Sequence, residues 1–274
     1  MRAIGIIGGK VIGDALRNRW IVGATVLLAG LAFVLSFLGA APGGHVGVSP
    51  LAVIVVSLSS LSIFLVPLIA LLMAYDAVVG EDERGTMLLL LTYPVTKRQI
   101  LFGKFLGHTA TIAIAVFVGY GAAGLANGIG REVDAMAWAA FGLLMISSVL
   151  LGMVFLALAY LASIVASERG TAAGLAVGVW LLFVILYDMG LLGLLVASEG
   201  RIGTTAFQIL LLANPADVFR LLNLSSFENV RLFAGMAGAS GEAALPFPVL
   251  AAALLAWVAV PLGAAAHLFG RREL

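Results

Sequence analysis

The sequence contains no cysteine, which removes disulfides, thiolate metal sites, iron–sulfur clusters and cysteine nucleophiles together. Histidine is scarce as well. His45, His108 and His267 lie far apart, so a histidine-rich metal site within one chain is not expected. The eight methionines form no M-x-x-M array, so nothing marks a continuous line of soft ligands for Cu(I). Charged residues make up only 11% of the chain, against ~25% in ordinary globular proteins. They nearly cancel, 15 Lys and Arg against 14 Asp and Glu, and nucleic-acid binding, which needs a concentrated basic surface, has no support. A Walker A loop is also missing, because the pairs Gly9-Lys10 and Gly103-Lys104 are followed by Val11 and Phe105 rather than Ser or Thr. The chain is therefore expected to be no enzyme, to have no catalytic, cofactor-binding or metal site of its own, and to hydrolyse no ATP itself.

What the sequence has in abundance is apolar surface: 62% of the 274 residues are hydrophobic, and the mean hydropathy is +1.15. Water is not the main solvent of such a chain. A spanning helix needs ~20 largely apolar residues, because in lipid only internal hydrogen bonds satisfy the backbone. Six segments qualify: Ile21 to Leu38, Val55 to Ala74, Phe105 to Ala126, Trp138 to Ile164, Ala172 to Val196 and Val249 to Phe269. The expected class is all-α, a polytopic membrane protein forming one transmembrane domain in contact with membrane lipids. Before the first span, residues 1–20 place Ile4, Ile7, Val11, Ile12 and Leu16 at helical spacing against Lys10, Asp14, Arg17 and Arg19, the pattern of an interfacial amphipathic helix. A cleavable signal peptide fits less well, since the apolar run is too long and what precedes it is no short basic tip.

Lys and Arg set the orientation. With the N-terminus inside, Arg2, Lys10, Arg17, Arg19, Arg84, Lys97, Arg98, Lys104, Arg169, Arg271 and Arg272 are cytoplasmic, and only Arg131, Arg201, Arg220 and Arg231 are outside. Both termini are expected in the cytoplasm, and the location to be a bacterial inner membrane.

The second inner loop, within Ala74 to His108, is too apolar for a plain loop. Gly80 is expected to end the second span. Glu81, Asp82 and Glu83 then precede a short apolar helix from about Thr86 to Thr92, where their charge suits the helix dipole. Pro94 stops that helix, and Thr96 with Gln99 fits a capping box opening the third span. The result is a short amphipathic helix across the cytoplasmic face in residues 80–99, a docking element for another protein or an inner-leaflet anchor.

The run Glu81, Glu83, Gly85, Thr86, Leu88, Leu91, Pro94, Leu101, Gly103 and Lys104 resembles the E-x-E-x-G-T…L…P…LxGK signature of ABC-2 type permeases. Arg84 departs from the acidic pattern. The strings DALRNRW at 14–20, AYDAVVGE at 74–81, LLTYPV at 90–95, ERGTAAGLAVGVW at 168–180 and NPADVFRLLNL at 214–224 resemble more narrowly the branch of that family that serves maturation of periplasmic nitrous-oxide reductase. The resemblance implies a type V exporter-like homodimer and a separate cytoplasmic ABC ATPase dimer that binds ATP and Mg. It further implies a periplasmic copper-binding β-helix protein on the outer side, and support for assembly of the copper centre by exporting a sulfur species or by relaying motion. On this reading Glu81, Asp82, Glu83, Gly85, Thr86, Leu88, Leu91 and Pro94 contact the ATPase, with Glu168 and Arg169 of the next inner loop as a secondary contact. A generic exporter of a lipid, drug or glycan, and a membrane scaffold without transport, are the alternatives.

The long outer loop, residues 197–248, holds a second departure. Asn214, Pro215 and Asp217 read as N-cap, first-turn proline and first-turn acid of a helix through Val218, Phe219, Arg220, Leu221 and Leu222. Its apolar face is expected to dip into the outer leaflet as a re-entrant element. Asn214, Pro215, Asp217, Phe219 and Arg220 are thus candidates for a gate or for a periplasmic docking platform. Asp188, about 16 residues or ~24 Å into the fifth span, is a candidate intramembrane functional acid, with solvation by headgroup water the expected state. Asp76 and His108 are expected to be interfacial. Ser240 and His267 mimic an intramembrane serine–histidine pair, but the topology sets them ~30 Å apart across the bilayer.

Overall fold

The computed structural model describes residues 2–38, 50–128, 135–199, 201–224 and 245–272. Every regular element among them is helical: α1 (Arg2–Arg17), α2 (Arg19–Leu38), α3 (Pro50–Ala74), α4 (Val79–Glu83), α5 (Thr86–Leu91), α6 (Lys97–Gly128), α7 (Ala135–Val165), α8 (Arg169–Leu181), α9 (Tyr187–Ala197), α10 (Thr204–Leu212), α11 (Pro215–Leu224) and α12 (Phe247–Arg271). A π-helical turn, Leu182–Leu186, joins α8 to α9 in one continuous rod. This is the all-α membrane fold expected. Five stretches are long and apolar enough to cross a bilayer: Ile54–Glu83, Lys97–Ala126, Ala135–Val165, Arg169–Ala197 and Phe247–Arg271. The 20 residues of α2, at the position of the first expected span, rise about 30 Å.

α7 is the central pillar, packing against α3, α6, α8, α11 and α12. Its middle is small and polar, which lets neighbours approach: Tyr120 of α6 and Ser148 of α7 lie 2.7 and 3.3 Å from Ser62 of α3. Ser62 donates in turn to the Leu58 carbonyl at 2.7 Å. Hydroxyls are tolerated here because each finds a partner inside the bundle. The fifth span is the outlier. Only 11% of its apolar stretch is buried within the chain, against 56% in the second and fourth.

α1 is a helix, and it lies on α6 rather than standing free. Glycines make the seat: a Cβ on Gly107 would fall 2.7 Å from the Val11 side chain, and one on Gly103 2.9 Å from that of Ile7. Ile6 and Leu16 stay exposed on the outer side of α1, an apolar face fit for lipid. Elsewhere Gly119 and Gly124 meet Ala29 and Phe141 closely, whereas Gly121, Gly174 and Gly178 have no neighbour within 4 Å of where a Cβ would stand.

Three local expectations change. Gly80 does not end the second span: α3 stops at Ala74 and Gly80 sits inside α4, where its missing side chain serves another purpose described below. The left-handed residue that turns the chain is Gly85, at φ 66° between α4 and α5. The long outer loop contains α10 as well as the expected α11, and α11 packs into the bundle against α3, α7 and α12 rather than against lipid alone. His45, Arg131, Arg231 and Ser240 lie outside the described residues, and His267 is exposed near the end of α12.

Candidate functional site

The site is built at the end of the bundle that holds α1, α4, α5 and the last turn of α12. A five-residue helix such as α4 leaves most of its backbone N–H groups without an internal partner. No side chain of its own caps it. Ser163 of α7 caps it instead, its Oγ accepting from the N–H groups of Val78 and Val79 at 3.0 and 3.1 Å. The start of α4 is thereby fixed to the central pillar.

Its three acids are fixed to three other helices. Glu81 pairs with Lys104 of α6 at 2.7 Å, both side chains largely buried, and the same ammonium donates to the Ala77 carbonyl at 2.5 Å. Asp82 pairs at 2.9 Å with Arg272, just beyond α12. Arg272 also donates to the Ile164 carbonyl at 3.0 Å, and its own carbonyl accepts from Lys97 Nζ at 2.5 Å. Glu83 accepts from the Arg169 backbone N–H at 2.7 Å and lies 3.5 Å from its guanidinium, at the start of α8. Arg169 reaches back to Asp76 at 3.5 Å and to the Gly80 carbonyl at 3.3 Å. Gly80 makes room for it, since a Cβ there would sit 2.7 and 2.8 Å from two guanidinium nitrogens. Consecutive acids in one short helix thus face cations from the third, sixth and fifth spans.

The remaining expected contact residues divide between inside and outside. Thr86 donates to the Glu81 carbonyl at 3.2 Å, closing the α4–α5 turn. Met87 is fully buried and Leu91 packs on the core, while Leu88, Leu89, Tyr93 and Pro94 are exposed. Glu168 is exposed, its carboxylate accepting from Thr171 at 3.3 Å. The capping box is present: Gln99 N–H donates to Thr96 Oγ1 at 3.2 Å and Thr96 N–H to Gln99 Oε1 at 2.9 Å. The exposed face of the loop includes Leu88, Leu89, Tyr93 and Pro94 with Arg84 and Glu83, whereas Glu81 is largely buried against Lys104 and Asp82 half-buried beside Arg272. Lys104, Arg272, Asp76 and Ser163 were not among the contact residues expected from the sequence. The signal for them was there: three adjacent acids in a chain so poor in charge need three cations, and basic residues stood at the ends of the inner spans. His108 is not simply interfacial, for its Nδ1 lies 2.9 Å from the Tyr160 hydroxyl.

A second cluster forms at the far end. Asn214 caps α11, its Oδ1 accepting from Ala216 N–H at 3.0 Å and its Nδ2 donating to Asp217 at 3.1 Å. Arg220 bridges Asp217, at 2.9 Å, and Asp188 of α9, at 3.0 Å. Asp188 is thus paired rather than held by headgroup water, because α11 brings a guanidinium to it inside the bundle. Asp217 lies outside the spans, and its carboxyl is pushed up to about 7, by burial first and by the Asp188 carboxylate next, against the pull of Arg220. Deeper along α11, Asn223 donates to Ser147 of α7 at 3.0 Å. Asn214, Pro215, Asp217 and Phe219 are buried within the bundle and Arg220 is half-buried. Among the described residues, no group of three or more His, Asp or Glu is placed to hold a metal ion.

Residues 6–274 match the family described as "ABC-2 family transporter protein". The chain is 48% identical over 275 residues to the "Probable ABC transporter permease protein NosY" of Stutzerimonas stutzeri, covering 99% of each chain. It is likewise 48% identical over 270 residues to the protein of the same description from Pseudomonas aeruginosa, covering 98% of this chain and 96% of the relative.

Proposed function

The chain belongs to the ABC-2 family as the multi-pass permease subunit of an ABC transporter, and from that premise we propose that it couples ATP hydrolysis on a separate ATPase dimer to maturation of the copper centre of periplasmic nitrous-oxide reductase. The maturation role is supported by the likeness to NosY permeases along nearly the whole chain. The coupling role is supported by one observation above all, that Glu81, Asp82 and Glu83 are gripped by cations from three different spans.

In this reading the cytoplasmic ATPase seats against the exposed Leu88, Leu89, Tyr93 and Pro94, and the acids behind them carry the push onward. Arg169 hands it to the fifth span. That rod carries Asp188, whose tie to Arg220 controls α11, the plug on the periplasmic side. A sulfur species released past α11, or a movement read by a periplasmic β-helix partner, is the output. The largely unburied fifth span, with Gly174 and Gly178 facing away from the chain, is the surface through which two copies form the homodimer. Both termini and the α4–α5 loop face the cytoplasm, across the inner membrane from α11.

The test is a reconstituted membrane complex carrying Leu88→Asp and Leu89→Asp. It is expected to insert and fold, to lose ATPase binding, and to leave the reductase without its copper centre. Full copper-site assembly by that variant would refute the coupling role.

A further inference from the structure

Between α1, the end of α3, the α4–α5 loop and the first turns of α6 lies a half-enclosed cavity of about 360 Å³. That volume is within the ~300–1,000 Å³ usual for small-molecule sites. It is lined by six charged side chains, three of each sign: Lys10, Arg84 and Lys104, and Asp14, Asp76 and Glu81. Half of them are already used. Glu81 and Lys104 hold one another, and Asp76 holds Arg169. Among the described residues, no ion pair involves Lys10, Arg84 or Asp14. Two cations and one carboxylate therefore face the cavity with their charge uncommitted.

The rest of the wall is apolar. Ile7 and Val11 of α1, Met73 of α3 and Leu90 of α5 line it. A small polar solute has no use for such a margin, whereas a phospholipid has a charged head and acyl chains that start beside it. The place is right as well. α1 has the amphipathic pattern of an interfacial helix, so the cavity opens where the headgroups of the bilayer surface lie.

We propose that this cavity binds a phospholipid headgroup of the phosphatidylethanolamine type. Lys10 and Arg84 take the phosphate, a diester with one negative charge and acceptor oxygens suited to both an ammonium and a guanidinium. Asp14 takes the primary ammonium, which donates three hydrogen bonds. The methylene margin of Ile7, Val11 and Leu90 meets the glycerol end of the acyl chains. Occupancy bridges α1 to Arg84 in the α4–α5 turn, so the lipid fastens the N-terminal helix to the coupling loop.

The full-length chain, purified in mild detergent, is offered phosphatidylethanolamine, phosphatidylcholine and phosphatidylglycerol in equal amounts, and bound lipid is counted by native mass spectrometry. The expected result is retention of phosphatidylethanolamine about tenfold over phosphatidylcholine, whose quaternary ammonium donates no hydrogen bond to Asp14. Lys10→Ala with Arg84→Ala, both exposed positions, should abolish the retention. Asp14→Asn should erase the preference and keep the phosphate contact. Equal retention of the three lipids by the natural chain, or undiminished retention in the double variant, overturns the proposal. Binding of soluble phosphoethanolamine with no preference among lipids overturns it too, because it assigns the site to a cytosolic solute.

Discussion

Replacing Lys104 by Met separates the structural role of the Glu81–Lys104 pair from its mechanical one. Both partners are largely withdrawn from solvent, with side-chain exposures of 9% and 16%, so the pair is not screened as a surface pair is. Removing one member of a buried pair costs ~3–5 kcal/mol, because the other is left charged and unpaired. Glu81 borders the cavity and regains some water, which places the expected cost near the lower figure, about 3 kcal/mol. For a chain of this size that corresponds to a fall in melting temperature of about 6–12 °C. Adding Glu81→Leu removes the stranded charge, and buried pairs replaced by apolar side chains of similar volume often end close to neutral, within ~1 kcal/mol of the start. The Ala77 carbonyl loses its donor in both variants but also borders the cavity, where water replaces it. The double variant is thus expected to melt near the natural protein while its α4 has lost its tie to the third span. Scanning fluorimetry of the detergent-solubilised complex gives the first quantity, and permease-dependent stimulation of the ATPase gives the second. Restored stability with weakened stimulation is expected. A double variant that is both stable and fully stimulating would show that force does not pass through this pair, and an unshifted melting point in Lys104→Met alone would show that the pair is not desolvated.

Gly80→Ala puts a methyl within 2.7 Å of the Arg169 guanidinium and should displace it from Asp76 and Glu83, lowering ATPase stimulation by about tenfold while membrane insertion is unchanged. Gly107→Val drives a branched side chain into Val11 and the Gly8 carbonyl and should lift α1 from α6, which trypsin cleavage after Arg17 in native membranes reads directly. Hydrogen exchange of α11 tests the far cluster: the Asp217 carboxyl is pushed up to about 7 from an ordinary 3.8, so the fold holds it best protonated, and protection should fall as pH rises from about 4 to 7 and level off above that. The groups facing it are Asp188 and Tyr187 from α9 and Arg220 from α11, and Asp217→Asn should flatten the profile.

The spans were legible because hydrocarbon allows one backbone solution and the apolar runs have the length that solution needs. Asn214, Pro215 and the Thr96–Gln99 box were legible for a different reason, as caps involve residues two or three apart, which a sequence displays side by side. Pairings across the bundle are not displayed that way. Glu81 and Lys104 stand 23 positions apart and Asp82 and Arg272 stand 190 apart, so neither ion pair shows in the sequence. Asp188 failed for the same reason. Its depth in the fifth span was read correctly, but the guanidinium that meets it arrives on α11, and no feature near position 188 announces Arg220.

The two charge clusters lie on one rod. Arg169 begins the fifth span and Asp188 sits 19 residues later, about 28 Å along the helix. Between them the π-helical turn Leu182–Leu186 interrupts the regular ladder, at the kind of local widening that accompanies functional sites in helices. A rod transmits a displacement only if its neighbours let it move, and of the five long apolar stretches this one is the least buried within its own chain. The Trp180 indole donates to the Phe64 carbonyl at 3.0 Å, and below it Val184 alone in the π turn is buried, which makes that contact a pivot between two lightly held arms. In the proposed mechanism motion applied at Arg169 arrives at Asp188, and Arg220 is the residue that responds. A chain with Arg169 and the π turn intact but carrying Asp188→Leu keeps the rod and removes its tie to Arg220. Such a variant should still bind its ATPase and still hydrolyse ATP, since the Arg169 end is untouched, while α11 becomes readily exchangeable in every nucleotide state. Continued nucleotide-dependent protection of α11 in it would mean that the plug is moved by some other helix.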